Sequence, residues 1–176
     1  MKHVNSQSFF LVRAPTSVAI SRLRLGDLIS TWRVPQDDDS DMAMGTVVSE
    51  LVTNAVSHGS GDMIEVVASA DIGRGRMTIE VHDASPVLPR RCHPGPDAES
   101  GRGMLLVEHL AIAYGAENTA RGKRVWAELA LPPHPTAGRR SLGPRRALRA
   151  LARGFSAVRW TRLRARLRIS ALLRTH

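Results

Sequence analysis

The feature that most constrains the fold is a pair of strand-like segments separated by one short turn. "MIEVVASAD" (63–71) and "RMTIEVHD" (76–83) both largely alternate apolar with polar residues. This is typical of half-buried strands, because successive side chains of a strand point to opposite faces of the sheet. The joining sequence "IGRGR" (72–76) is glycine-rich and typical of a hairpin turn. We therefore expect an antiparallel pair of strands with one face against a core.

Helical patterns precede this hairpin. "SQSFFLVR" (6–13) predicts a short strand, and residues 15–32 predict a helix that Thr16 or Ser17 can cap. A second helix is expected from about Asp41 to Ser57, after an acidic loop, with glycine in "HGSGD" at its end. The expected core face of the first helix comprises Val18, Leu25, Leu28, Ile29 and Trp32, and the apolar stripe of the second comprises Val47, Val48, Leu51, Val52 and Ala55.

A long loop follows the hairpin, since residues 84–103 contain four prolines and three glycines. "MLLVEHLAIAYG" (104–115) then predicts a helix, and "KRVWAELAL" (123–131) predicts a final strand. The order is β, α, α, β, β, long loop, α, β, with a last strand. Such an order favours an α+β two-layer sandwich with a mainly antiparallel sheet.

Charge divides the chain into an acidic body and an arginine-rich C-terminal extension. Residues 1–131 carry 13 Lys and Arg and all 16 Asp and Glu, whereas residues 132–176 carry 12 Arg and no acid. We expect a folded domain at 1–131, a Pro/Gly linker at 132–142, and a tail at 143–176 that is marginally helical or disordered. The single cysteine, Cys92, rules out an internal disulfide framework, and no secretory leader or membrane-spanning run is visible. A cytoplasmic location is expected.

Three polar stretches could together form a site, and the first is on the second predicted helix. Glu50, Asn54 and His58 recur every four residues beside the apolar stripe, so they lie along its rim. Asn and His are also common near helix ends, which is the simpler explanation. The chemical explanation is that the amide oxygen of Asn54 suits Mg²⁺ and that Glu50 can orient or deprotonate a hydroxyl.

The other two stretches lie near the long loop. Asp83, in "IEVHDASP", is either a turn residue or an acceptor for an exocyclic amine such as that of adenine. Gly101 and Gly103, in "ESGRGMLLVEHL", either end a flexible loop or let the backbone approach a phosphate at a helix N-terminus. The dinucleotide fingerprint and the Gly-Lys-Ser/Thr phosphate loop are both absent from the sequence.

In this order the motifs resemble the GHKL (Bergerat) ATP-binding fold of gyrase, the heat-shock chaperone and the histidine kinases. They are more closely similar to the small bacterial anti-sigma-factor serine kinases and their stand-alone actinobacterial relatives. The resemblance spans about residues 8–131 and rests on "VVSELVTNAVSHG", "VHDASP", "GRGMLLVEHL" and "GKRVWAEL". It implies a protein that binds ATP and Mg²⁺.

The resemblance also implies roles for the matching residues. Glu50 corresponds to the catalytic base of the kinases, Asn54 to the Mg²⁺ ligand and Asp83 to the adenine contact. His58 is interpreted as structural or as a neighbour of the ligands. Arg124 stands in the final strand where the close relatives tend to have a Thr near the nucleotide.

The family's phosphate cradle and lid correspond to the segment before the third predicted helix. Gly101 and Gly103, with the amides of Arg102 and Met104, match the cradle, and residues 85–100 match the lid. The resemblance thus implies that the nucleotide lies between this segment and the rim of the second helix.

Three functions remain open on this basis. The first is a serine kinase that sequesters a sigma factor and phosphorylates a small antagonist protein, and the second is a non-catalytic, nucleotide-gated binding module. The third is an adaptor whose ATP fold is vestigial and whose basic tail contacts an anionic membrane surface or nucleic acid. A second copy of the chain, in a homodimer, is a further expected partner.

Overall fold

The computed structural model describes residues 4–89 and 103–133. The chain divides into two units, Met1–His134 and Pro135–His176, and only the first contains described residues. The predicted tail, most of the predicted linker and residues 90–100 of the predicted lid therefore lie outside the described part. The elements are β1 (Val4–Val12), α1 (Thr16–Trp32), α2 (Asp38–His58), β2 (Met63–Asp71), β3 (Arg76–Asp83), α3 (Gly103–Leu110), β4 (Ala113–Thr119) and β5 (Gly122–Ala130).

The five strands form one sheet in the order β1-β2-β3-β5-β4, and each neighbouring pair is antiparallel. Alternate residues of β2, β3 and β5 are buried, so one face of the sheet packs into the core with the helices. The predicted hairpin is β2–β3, in which Asp71 pairs with Arg76. The predicted α+β sandwich with an antiparallel sheet is confirmed. No helix in the described ranges has the length and apolar character needed to cross a membrane.

The two long helices bury the residues that the sequence predicts. All five residues of the α2 stripe are buried, and on α1 Leu25, Leu28 and Ile29 are buried while Val18 and Trp32 pack against the core. The start of α2 is about three residues earlier than expected, because Asp37 and Ser40 form a capping box. The expected cap of α1 is wrong: Pro15 precedes the helix without a side-chain cap. Ser17 is buried and donates from Oγ to the Val12 carbonyl at 2.6 Å.

The third helix is shorter than the sequence predicts. The segment 104–115 is helical only to Leu110, and Ala113–Thr119 is β4, paired with β5. The last helical bond joins the Ala111 N–H to the Val107 carbonyl, and the next amide, that of Ile112, donates to Glu128 in β5 at 2.8 Å. A short apolar run fits a helix or a buried strand equally well, so pairing with β5 decides its structure.

Candidate functional site

The first contact of the site joins α2 to the start of α3. The carboxylate of Glu50 lies directly against the Cα of Gly103, and a Cβ at Gly103 would collide with it. A larger residue at the first position of α3 would force the Glu50 side chain to move, so glycine permits this close approach. Glu50 is half-buried, and burial raises the pKa of its carboxyl above the ordinary value. The structure thus places a partly desolvated carboxylate at the N-terminus of a helix.

Asn54 lies one turn further along α2. Its Nδ2 is buried, and among the described residues no atom accepts a hydrogen bond from it. A buried, unpaired amide costs about 1–3 kcal/mol, so this side chain suits a partner that the described protein does not itself supply.

Magnesium can be held at this position only by the amide oxygen of Asn54, whereas the unpartnered Nδ2 is a hydrogen-bond donor that suits an acceptor such as a phosphate oxygen. The described part of the chain holds no group of three or more His, Cys, Asp and Glu that could bind a metal ion. Mg²⁺ is commonly held by only one or two protein oxygens together with waters and substrate phosphates. A single amide oxygen at Asn54, one helical turn from the contact between Glu50 and the N-terminus of α3, is therefore compatible with this ion.

Asp83 lies at the end of β3, below the C-terminal end of α2, and is buried. Its Oδ1 accepts hydrogen bonds from the Ser85 N–H at 2.8 Å and from the Lys123 Nζ at 3.1 Å. The same Nζ lies 3.0 Å from Oδ2 in a fully buried ion pair. A Cβ at Gly59 would lie 3.0 Å from the Asp83 Cγ, so glycine at the end of α2 makes room for the carboxylate.

Lys123 is the residue of this site that the sequence analysis missed. It is in register with Asp83 and is among the largest fully buried side chains. The alternation of side chains along β5 could have predicted that Lys123 is buried, because Val125 and Ala127 are buried and residue 123 shares their face.

Arg124 instead lies on the opposite face, which we call the outer face of the sheet. It donates to Glu80 at 2.6 and 2.9 Å and to Glu117 at 2.5 Å, and its guanidinium lies 5.8 Å from the centre of the Trp126 ring. Arg124 therefore does not share the face of Asp83 and Lys123, because odd-numbered residues of β5 face the core and even-numbered residues do not.

The remaining predicted residues divide into described and undescribed positions. Gly101 and Arg102 lie outside the described residues. Met104 is half-buried and packs against the core, while the side chain of His58 is exposed. The structure therefore brings together Glu50 with Gly103 at one end of the rim, while the Asp83 pair lies at the other.

A groove of about 470 Å³ extends from Glu50 along α2 toward α1. Arg22 of α1 borders it and donates from Nη1 to the Ser49 Oγ at 3.1 Å. The lining residues are Arg22, Asp41, Met42, Gly45, Thr46, Ser49 and Glu50. The groove gives the Glu50 carboxylate an open approach on the side facing the first half of α2.

Comparison with known proteins shows the family of this fold. Residues 11–129 match the family model described as the histidine kinase-like ATPase domain, and no curated protein matches the chain significantly. Among solved structures, the chain is similar to the RsbU and RsbW domains of Rv1364c from Mycobacterium tuberculosis. The two are 18% identical with a TM-score of 0.54 over 72% of this chain and 32% of that one. At this identity the match shows a shared fold, and the chain spans about a third of the other's length. Since the family model covers most of the folded unit, the chain belongs to the family of histidine kinase-like ATPase domains.

Proposed function

We propose that this protein is a Mg-ATP-binding regulator that transfers a phosphoryl group to a serine of a partner protein, as an anti-sigma-factor serine kinase does. The observation that carries the proposal is the contact between the half-buried Glu50 carboxylate and Gly103 at the start of α3. It puts a carboxylate beside the end of a helix where phosphates bind. Asn54, with its unpaired buried amide, follows one turn away on α2.

Each residue has a distinct task in this proposal. Glu50 accepts the proton of the serine hydroxyl through its carboxylate, and its raised pKa makes it a better proton acceptor than an exposed glutamate. Asn54 holds the metal through its amide oxygen, and Asp83 accepts a hydrogen bond from the base. When bound, Mg-ATP supplies the phosphoryl group and the charge that offsets the phosphate oxygens.

The groove beside Glu50 supports a protein substrate rather than a small one. It is open and runs between two helices, so an extended peptide could reach Glu50 along it. Its border contains Arg22 and the exposed Met42, two residue types that are enriched at protein–protein contacts. The partners implied are a sigma factor and a small antagonist protein whose serine is phosphorylated.

The proposal is tested by separating binding from transfer. Binding is measured with a fluorescent ATP analogue with and without Mg²⁺, and transfer is measured in single turnovers with radiolabelled ATP and candidate antagonist proteins. Glu50→Gln should nearly abolish transfer and leave ATP affinity within about threefold, because the shape is kept while the base is lost. Glu65→Gln, the same change on the outer face, is the matched control and should retain both.

Two results would contradict parts of the proposal. Full transfer activity in Glu50→Gln would remove Glu50 from the role of base. Tight Mg-ATP binding by the wild type without transfer to any antagonist would instead indicate the non-catalytic, nucleotide-gated binding module.

A further inference from the structure

The buried ion pair of Lys123 and Asp83 is the feature that the proposed function leaves unexplained. Both side chains are about 1% exposed, and the two charged groups are 3.0 Å apart. Buried ion pairs seldom add net stability, because removing both charges from water offsets most of their attraction. A contribution to stability therefore does not explain this lysine well. The other core residues on this face of the sheet, apart from Asp83, are apolar.

The hydrogen bonds around the pair are unevenly distributed. Nζ of Lys123 lies within 3.4 Å of three oxygens: Oδ1 and Oδ2 of Asp83 and the carbonyl of His58. Oδ1 also accepts the Ser85 amide. Oδ2 is buried and, among the described residues, has the ion-pair contact but no aligned hydrogen bond. One carboxylate oxygen is thus saturated, and the other keeps acceptor capacity.

The surrounding backbone fixes the orientation of this carboxylate. Gly59 packs against its Cγ from the end of α2, where a Cβ would be 3.0 Å away. Gly122 has φ +142° and packs against the Asp83 carbonyl so closely that any side chain there would collide. Lys123 also joins three elements, because it belongs to β5 and contacts the end of β3 and the last carbonyl of α2. These contacts hold the Asp83 carboxylate, including Oδ2, in place.

We infer that Lys123 is the positioning residue that makes the base site selective for a 6-amino purine over a 6-oxo purine. The inference rests on the proposed nucleotide binding. An ionised carboxylate only accepts hydrogen bonds, and the buried ammonium of Lys123 is directed at Asp83 and the His58 carbonyl. Adenine offers an amine to such a group, whereas hypoxanthine and guanine offer a carbonyl oxygen at that position. Two acceptors would then face each other without a proton between them, which a buried site rejects strongly.

The test compares ATP with inosine triphosphate, which carries the same phosphates and sugar but a 6-oxo base. Affinities are measured with Mg²⁺ by calorimetry on the full chain. The wild type should bind ATP at least about tenfold more tightly than inosine triphosphate. Lys123→Met should reduce this ratio about tenfold or more, mainly by weakening ATP, because the carboxylate loses the contacts that fix its orientation. Asn54→Ala is the control: it should weaken both nucleotides and keep the ratio.

Several outcomes would overturn the inference. Equal wild-type affinity for the two nucleotides would do so while leaving the proposed function standing, whereas a wild type that binds neither nucleotide would reject both. A parallel loss of both affinities in Lys123→Met, with the ratio kept, would mean that Lys123 only supports the fold.

If circular dichroism shows that Lys123→Met does not fold, the double variant Asp83→Asn with Lys123→Met, in which both side chains are neutral, replaces it. An amide can donate as well as accept, so this double variant should bind both nucleotides equally, and a retained ATP preference would refute the assignment.

Discussion

Replacing Asn54 by alanine should make the nucleotide-free protein more stable while removing its Mg-ATP site. Asn54 lies inside α2, and its Nδ2 is buried with no acceptor among the described residues. In the free protein such an amide opposes folding, because it has lost water without gaining a partner. Stability and ligand affinity should therefore change in opposite directions in one variant.

The expected change in the free energy of unfolding combines two favourable contributions with one unfavourable one. Alanine improves helix propensity by up to about 0.7 kcal/mol, and removal of the unpaired amide relieves about 1–3 kcal/mol. Lost packing of a half-buried side chain offsets part of this gain. The net gain should be about 1–2 kcal/mol, or roughly 3–6 °C in Tm for a domain of this size. With Mg-ATP at about one hundred times its Kd, the wild type should gain about 2.7 kcal/mol that the variant does not.

The assay is thermal unfolding followed by circular dichroism, with and without Mg-ATP. Thr53→Ala is the matched control, since Thr53 is the exposed neighbour in the same helix and has nearly the same helix propensity as Asn. The difference between the two variants isolates the buried amide. Without nucleotide, a lower Tm for Asn54→Ala than for Thr53→Ala would show that the amide has a partner in the free protein and would refute the reasoning.

Three further predictions concern Glu50, Gly103 and the tail. Burial raises the pKa of Glu50 in the folded protein, so its carboxyl lowers stability as the pH rises through that value. Glu50→Gln should accordingly raise Tm more at about pH 8 than at about pH 4, and equal increments would contradict this. Gly103→Val should displace the Glu50 carboxylate and lower phosphotransfer at least about tenfold, measured in single turnovers with unfolding scans to confirm an intact fold. A peptide of residues 143–174 should gain helix on anionic but not neutral vesicles, as followed by circular dichroism; no gain on anionic vesicles would reject the membrane contact.

Local patterns in the sequence predicted much of this fold. The β2–β3 hairpin and the α2 stripe follow from side-chain periodicity, which depends on neighbours in the chain. Even so, α2 begins earlier than predicted, because a capping box by Asp37 and Ser40 extends it into the acidic loop. The rim of Glu50 and Asn54 could be proposed for the same reason as the stripe, since their spacing is a property of one helix.

Features that depend on distant pairing could not be predicted in this way. The segment that becomes β4 has no strand signature of its own and takes its structure from β5. Lys123 and Asp83 are 40 residues apart in sequence and meet only because β3 and β5 are neighbours. A buried lysine is also contrary to the usual partition of charged residues, so composition directs attention away from it. Register between strands was the missing information in both cases.

The long separation between β1 and its partner has a consequence for how the sheet assembles. The β2–β3 hairpin closes only residues 72–75, whereas the nearest pair of the β1–β2 ladder, Val12 with Met63, encloses residues 13–62 and both long helices. Closing a loop of that size costs roughly 3.5 kcal/mol in chain entropy, against about 1.2 kcal/mol for the hairpin. The hairpin should thus form early, and β1 should dock only after α1 and α2 have packed. As an edge strand, β1 should also open more readily than the central β3, with its amide hydrogens exchanging before those of β3.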